Sequence, residues 1–121
     1  MLRSILQTQT GVYSFTVTDE LDAHLPVGSI TAFTITYYDR ETKQILNSRQ
    51  DQNALNLNGV AVATSGCVTT ATWTLTPLDT IIYDSRRETE YHIALFQWTW
   101  SLGAKSKARE VQIPIEQVTY V

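Results

Sequence analysis

Tyr91-His92-Ile93-Ala94-Leu95-Phe96-Gln97-Trp98-Thr99-Trp100 runs without a glycine, a proline or a carboxylate and is dense in aromatic side chains, the composition of a pleated strand. Successive strand residues point to opposite faces, so Tyr91, Ile93 and Leu95 share one side and Ala94, Phe96, Trp98 and Trp100 the other. Both sides are apolar in part, and one can fill a core. Ser101-Leu102-Gly103-Ala104 reads as a turn, and Lys107 to Ile115 as a return strand that sets Arg109, Val111, Ile113 and Ile115 against Ala108, Glu110 and Gln112. The two form a hairpin. Pro114 has no ladder donor, which puts the return strand at a sheet edge near its end.

The same period-two pattern extends toward the N terminus. Val12 to Thr18 sets Tyr13, Phe15 and Val17 against Ser14, Thr16 and Thr18, and stops at Asp19-Glu20-Leu21-Asp22. After a loop with Pro26 and Gly28, Ser29 to Asp39 sets Phe33, Ile35 and Tyr37 against Thr34, Thr36 and Tyr38. A turn through Asp39-Arg40-Glu41-Thr42 leads to Lys43 to Asn47, the expected hairpin mate, and the polar run Ser48 to Asn58 is expected as loop with one helical turn at most. Gly59 to Ala63 reads as a short strand, Ser65-Gly66 as a turn, and Cys67 to Thr76 as a strand with Trp73 and Leu75 inward. Pro77-Leu78-Asp79-Thr80 is a turn, and Ile81-Ile82-Tyr83 a short edge strand before the charged run Asp84 to Glu90. About seven to eight short strands without a long helix define an all-β fold, an immunoglobulin-like two-sheet antiparallel sandwich. The expected domain spans 11–116, with an N-terminal arm at 1–10 and a C-terminal tail at 117–121.

At 121 residues, 43 % hydrophobic and 17 % charged, the composition is that of one folded domain. A net charge of −3 supplies no field to gather nucleic acid. The single cysteine, Cys67, excludes an internal disulfide, so a reduced cytosol is permitted. Met1 to Thr10 has only pairs of apolar residues between polar ones, so no secretory signal is expected there. No stretch approaches the roughly 20 apolar residues of a membrane span.

Catalysis needs converging groups, and no local spacing announces any. His24, His92 and Cys67 stand outside every paired Cys or His pattern, so neither catalytic residue, metal nor cofactor is expected. His92 reads as a strand histidine at the sheet surface and Cys67 as a small strand residue beside a turn. Two basic clusters, Arg86-Arg87 and Lys105, Lys107 and Arg109, read first as solvated loop and edge charge, since edge lysines block unwanted pairing. Their functional alternative is a salt-bridge patch for an acidic neighbour. Phe96, Trp98 and Trp100 would leave a patch of a few hundred Å² if bare; a bulge near Gln97 or the loop Ser48 to Asn58 would cover them, or a neighbouring protein would. The candidate partner-interface residues are therefore Phe96, Trp98, Trp100, Tyr38, Arg86 and Arg87. Tyr91 has a structural role open to it, a corner tyrosine bonding back to the run just upstream.

Phe15-Thr16-Val17-Thr18-Asp19-Glu20, Leu25-Pro26-Val27-Gly28-Ser29-Ile30-Thr31 and Tyr37-Tyr38-Asp39 resemble the opening of small immunoglobulin-like structural proteins of tailed bacteriophages. Trp73-Thr74-Leu75-Thr76-Pro77-Leu78-Asp79-Thr80, Glu90-Tyr91-His92, Trp98-Thr99-Trp100 and Glu110-Val111-Gln112-Ile113-Pro114-Ile115 resemble their closing half. The resemblance covers most of the chain at the level of style. It implies a non-enzymatic virion part, made in the host cytoplasm, repeated in many symmetric copies and bound to capsid, neck (head-tail connector) or tail subunits, with no nucleic acid or membrane partner. A carbohydrate-binding module, with Trp98, Trp100 and Tyr38 as a sugar-stacking platform, and an adhesin-type domain are the alternatives.

Overall fold

Alternation in sequence becomes alternation in burial, and the buried halves of the strands close on one another as two sheets. The computed structural model describes residues 5–6, 11–80, 89–101 and 105–116. The strands are β1 (Ile5–Leu6), β2 (Gly11–Thr16), β3 (Ile30–Asp39), β4 (Gln52–Asn53), β5 (Val60–Ser65), β6 (Val68–Leu75), β7 (Thr89–Trp100) and β8 (Lys105–Glu116). One sheet has the order β1-β8-β7-β3-β4 and the other β2-β6-β5. This is the immunoglobulin-like sandwich, its larger sheet extended past β3 as in variable-type domains. All pairings are antiparallel except the two-residue ladder of β1 on β8.

The face of β7 that fills the core is Ala94, Phe96, Trp98 and Trp100, all buried. Rings from three further strands meet it. Phe15 lies 4.8 Å from Phe96 and 6.0 Å from Trp98, Phe33 stacks on Trp98 at 5.5 Å, and Trp73 meets Phe96 edge-on at 5.6 Å. Phe96, Trp98 and Trp100 were candidates for a partner interface; their rings are instead consumed by the apposed sheet. No bulge at Gln97 turns them inward, and from the 48–58 run Ala54 and Leu55 join the same core cluster. The register of β3 on β7 is continuous past Gln97, and its irregularity falls at Ile30 to Ala32. Tyr91 and Leu95 stay half-buried on the opposite, outer face, with Ile93 packed down beside them.

Two other expectations change. The mate of β3 is Gln52–Asn53, inside the run expected as loop, while Lys43 to Asn47 contributes a single bridge from Ile45 to Tyr38. The cause is local: Asn47, Ser48, Asp51, Asn56 and Asn58 all take positive φ, which short polar side chains tolerate best. The chain thus curls between its anchors Leu46 and Ala54, both wholly buried. No helical turn forms in that run. Gly59 closes it at φ +88°, where an added Cβ would lie 2.9 Å from the Thr74 carbonyl oxygen. The expected strand at Ile81-Ile82-Tyr83, most of the N-terminal arm and the C-terminal tail lie outside the described residues.

Trp98→Ala removes the ring that Phe15 and Phe33 pack on and the indole N–H that reaches the Thr18 carbonyl at 3.0 Å. Denaturant unfolding of this variant is expected to show a loss of about 3 to 5 kcal/mol; a loss under about 1 kcal/mol would place the ring outside the core.

Candidate functional site

The polar groups that converge most closely lie at one end of the sandwich, and they begin with a turn. Thr76-Pro77-Leu78-Asp79 has the spacing of a capping box. The Asp79 carboxylate accepts the Thr76 N–H at 2.8 Å and the Thr76 hydroxyl at 3.1 Å, and the Asp79 N–H returns to the Thr76 carbonyl at 2.9 Å. This fixes a carboxylate whose side chain is wholly buried, facing the 46–58 segment. Arg49 meets it with Nε to Oδ1 at 2.6 Å and Nη2 to Oδ2 at 3.0 Å, and Asn47 adds a bond to Oδ1 at 2.8 Å. The other face of the guanidinium reaches Gln52 Oε1 and the Asn58 carbonyl. Burial pushes the Asp79 carboxyl up, but hydrogen bonds from Arg49, Asn47 and Thr76, with the Arg49 charge, outweigh it and leave it below the ordinary carboxylate value.

The Tyr37 hydroxyl carries the network into the sheet. It donates to the Asp79 carbonyl at 2.8 Å and shares a hydrogen bond with His92 Nδ1 at 2.9 Å. His92 Nε2 in turn lies 2.7 Å from Glu90 Oε1. His92 is wholly buried, not at the sheet surface as expected, because its position in β7 falls on the same inward face as Ala94 and Phe96. The buried tyrosine that ties a strand to a turn is thus Tyr37. Tyr91 faces outward beneath the Arg40 guanidinium, 4.3 Å from its ring centre, and residues 84–88 of the run considered for its corner bond lie outside the described residues.

Asp39, Glu90 and His92 present ligand-type atoms within 4.8 Å of one another. Among the described residues they are the group nearest to a cation site. Each is also bonded to the protein: Asp39 Oδ2 accepts from the Thr42 amide and hydroxyl, and His92 and Glu90 bind each other. The arrangement holds two strands, a turn and a loop in register.

The surface residues fall elsewhere. On the outer face of the larger sheet, Tyr38, Tyr91 and Leu95 are half-buried, Arg40 stacks on Tyr91, and Lys43 Nζ sits 5.6 Å from the Tyr38 ring. Desolvation, with Glu110 adding to it, raises the Tyr38 phenol above its ordinary value. Of the six interface candidates, only Tyr38 lies at this surface; Phe96, Trp98 and Trp100 are in the core, and Arg86 and Arg87 lie outside the described residues. With both indoles buried, the sugar platform of Trp98, Trp100 and Tyr38 does not exist. Cys67 sits exposed in the turn between β5 and β6.

The second basic cluster is only partly solvated. Lys107 Nζ binds the Thr18 hydroxyl, the Asp19 carbonyl and Asp22, and Lys105 reaches Glu20 at 3.1 Å. The loop they hold is shaped by Asp19, whose Oδ1 accepts the Ala23 and Leu21 amides, lowering its carboxyl below the ordinary value. No known protein family, curated protein or solved structure matches this chain.

Arg49→Met strands a buried carboxylate and is expected to cost about 3 to 5 kcal/mol at pH 7. The folded-state value of Asp79 is depressed, so its ionised form stabilises the fold fully above the unfolded value near about 3.9. That contribution drains away as pH falls through the depressed value. Urea unfolding from pH 7 to pH 2 should show a smaller acid-dependent loss for Asp79→Asn than for the wild type; equal slopes would remove Asp79 from the acid response.

Proposed function

We propose that this chain is a non-enzymatic assembly domain, a structural part of a bacteriophage virion that packs against capsid, neck or tail subunits. The observation that carries it is the outer face of the larger sheet, where Tyr38, Tyr91 and Leu95 stand among Thr34, Thr36, Gln97 and Thr99, with Arg40 and Lys43 at one border and Glu110 at another. Tyrosine and arginine on a flat, weakly charged patch with a polar rim is the composition of protein interfaces. The resemblance of the Phe15 to Glu20, Leu25 to Thr31 and Trp73 to Thr80 stretches to phage virion domains supplies the kind of partner. An immunoglobulin-like sandwich hosts many functions, so the reading rests on this face and those stretches rather than on the fold.

The test is size-exclusion chromatography with light scattering on the chain, alone and mixed with the products of neighbouring genes. A defined complex with a capsid, portal or tail protein is expected, and Leu95→Glu should weaken it by roughly tenfold or more while leaving the unfolding midpoint nearly unchanged. Binding to none of those products, or binding indifferent to Leu95→Glu and Tyr38→Ala alike, would overturn this assignment.

A further inference from the structure

We propose that the outer edge of β8 is a strand-docking site that takes an extended, acidic segment of another protein. The direction of each backbone group follows from the ladders. Tyr37 gives its N–H to the Arg49 carbonyl and takes the Leu46 N–H, and the Phe33 carbonyl takes the Ala54 N–H, so the odd-numbered residues of β3 face away from β7. Thr34, Thr36 and Tyr38 therefore exchange bonds with Gln97, Leu95 and Ile93. Ala94, Phe96 and Trp98 then turn toward β8 and pair with Val111, Arg109 and Lys107. The N–H and C=O groups of Ser106, Ala108, Glu110 and Gln112 consequently point out of the sheet.

The outer sides of β3 and β5 are engaged by the chain itself. Beyond the bonds to Phe33 and Tyr37, the outer side of β3 is covered at Asp39, whose N–H binds the Gln44 carbonyl at 2.9 Å. On β5 the Val60 N–H binds the Leu57 carbonyl and the Val62 N–H binds Asn56 Oδ1. On β8, β1 pairs only at Ile115 and Glu116. Pro114 sits where no donor is available, and the edge from Ser106 to Gln112 has no partner strand among the described residues. Beside it, between β8 and the likewise outermost β2, runs a groove of about 550 Å³ whose wall carries Tyr13, Phe15, Val111 and Pro114 together with Arg109, Glu110 and Glu116. A second hollow of about 340 Å³ continues it past Thr16, Lys107 and Arg109. An open ladder beside an apolar slot is the geometry of β-augmentation, with main-chain bonds for affinity and alternate side chains for specificity.

The groove wall carries both signs, and Arg109 sets the preference on the inward face of an added strand. Lys105 and Lys107 are engaged by Glu20 and Asp22, whereas Arg109 is exposed, faces the groove 5.5 Å from the Phe15 ring centre, and meets no carboxylate among the described residues. A carboxylate on the inward face of the incoming strand, one alternate position from an apolar residue lying on Val111, completes the slot. A second copy pairing edge to edge would offer Arg109 the inward face of its own β8, Lys107, Arg109 and Val111, which carries no carboxylate. β1 already shows that a further strand can add to β8. The site is independent of the outer-face reading above, since a chain whose outer face binds nothing can still take a strand here.

The probe is the fluorescently labelled, end-capped peptide Thr-Val-Thr-Glu-Thr-Val-Thr-Val-Thr and its twin with lysine in place of glutamate, followed by anisotropy against the full chain. The acidic peptide should bind at least about tenfold more tightly than the lysine twin. Arg109→Glu, a surface change, should reverse that preference. Ala108→Pro and Glu110→Pro, which delete outward donors without touching the β7 ladder, should each weaken binding by roughly tenfold, with far-UV circular dichroism confirming the fold. Absence of saturable binding, equal binding of the two peptides, or binding unchanged in both proline variants would overturn the proposal. So would a dimer in light scattering that Ala108→Pro dissolves, which would make the occupant a second copy.

Discussion

Phe15 crosses the gap from the smaller sheet to touch Phe33, Phe96 and Trp98 of the larger one, and the rest of the fold is arranged around that contact. Two sheets without a disulfide between them are held by the side chains that interdigitate across roughly 10 Å. Aromatic rings do this efficiently, because each buries about 150 to 250 Å². Trp98 does more than fill space: its N–H anchors Thr18, so the core's largest plate also fixes the start of the loop that Lys105 and Lys107 hold at the top of the sandwich. Placing Trp98 inward commits every other residue of β7, and hence of β8, to its face.

The polar network at the opposite end has a different logic. Asp79 and Arg49 are both almost wholly removed from water, a situation in which desolvation offsets much of the Coulombic attraction. What the pair contributes is therefore geometry. One carboxylate accepts from a turn amide, a turn hydroxyl, an asparagine and a guanidinium, and the guanidinium passes on to Gln52 and Asn58. A long irregular segment rich in left-handed residues is thereby locked to a turn between sheets. Gly59 ends that segment where no side chain fits, and Trp73 beneath it takes Arg49 over its ring at 5.8 Å.

The strands were legible because each long one alternates cleanly. Tyr13-Ser14-Phe15-Thr16-Val17 and Phe33-Thr34-Ile35-Thr36-Tyr37 admit one register, since a slip of one residue would turn Thr and Ser into the core. Pro114 announced an edge at that end of β8, but β1 pairs with Ile115 and Glu116 just past the proline, so the edge there belongs to β1. Tyr91 to Trp100 could not choose its own face. Apolar residues stand on both sides, and the deciding fact is that Phe15, Phe33 and Trp73 arrive from elsewhere in the chain. Arg49 and Asp79 were illegible as a pair for a related reason: thirty positions separate them, and only the capping-box spacing from Thr76 to Asp79 hinted that this carboxylate was structural. His92 was misplaced because a polar residue in a strand suggests the wet face, whereas parity with Ala94 and Phe96 dictated the dry one.

Inward commitment of the large rings leaves two surfaces with different physical demands. The outer face of the larger sheet offers area without direction: Tyr38 and Tyr91 are already covered in part by Lys43 and Arg40, so a partner there must displace or share those cations. The edge of β8 offers direction with little area, a row of backbone donors and acceptors at fixed spacing that only an extended chain can match. Unpaired edges invite indiscriminate pairing. On the strand-docking proposal the discrimination falls to Arg109, which a second β8 would meet with Lys107, Arg109 and Val111 and an acidic strand with a carboxylate.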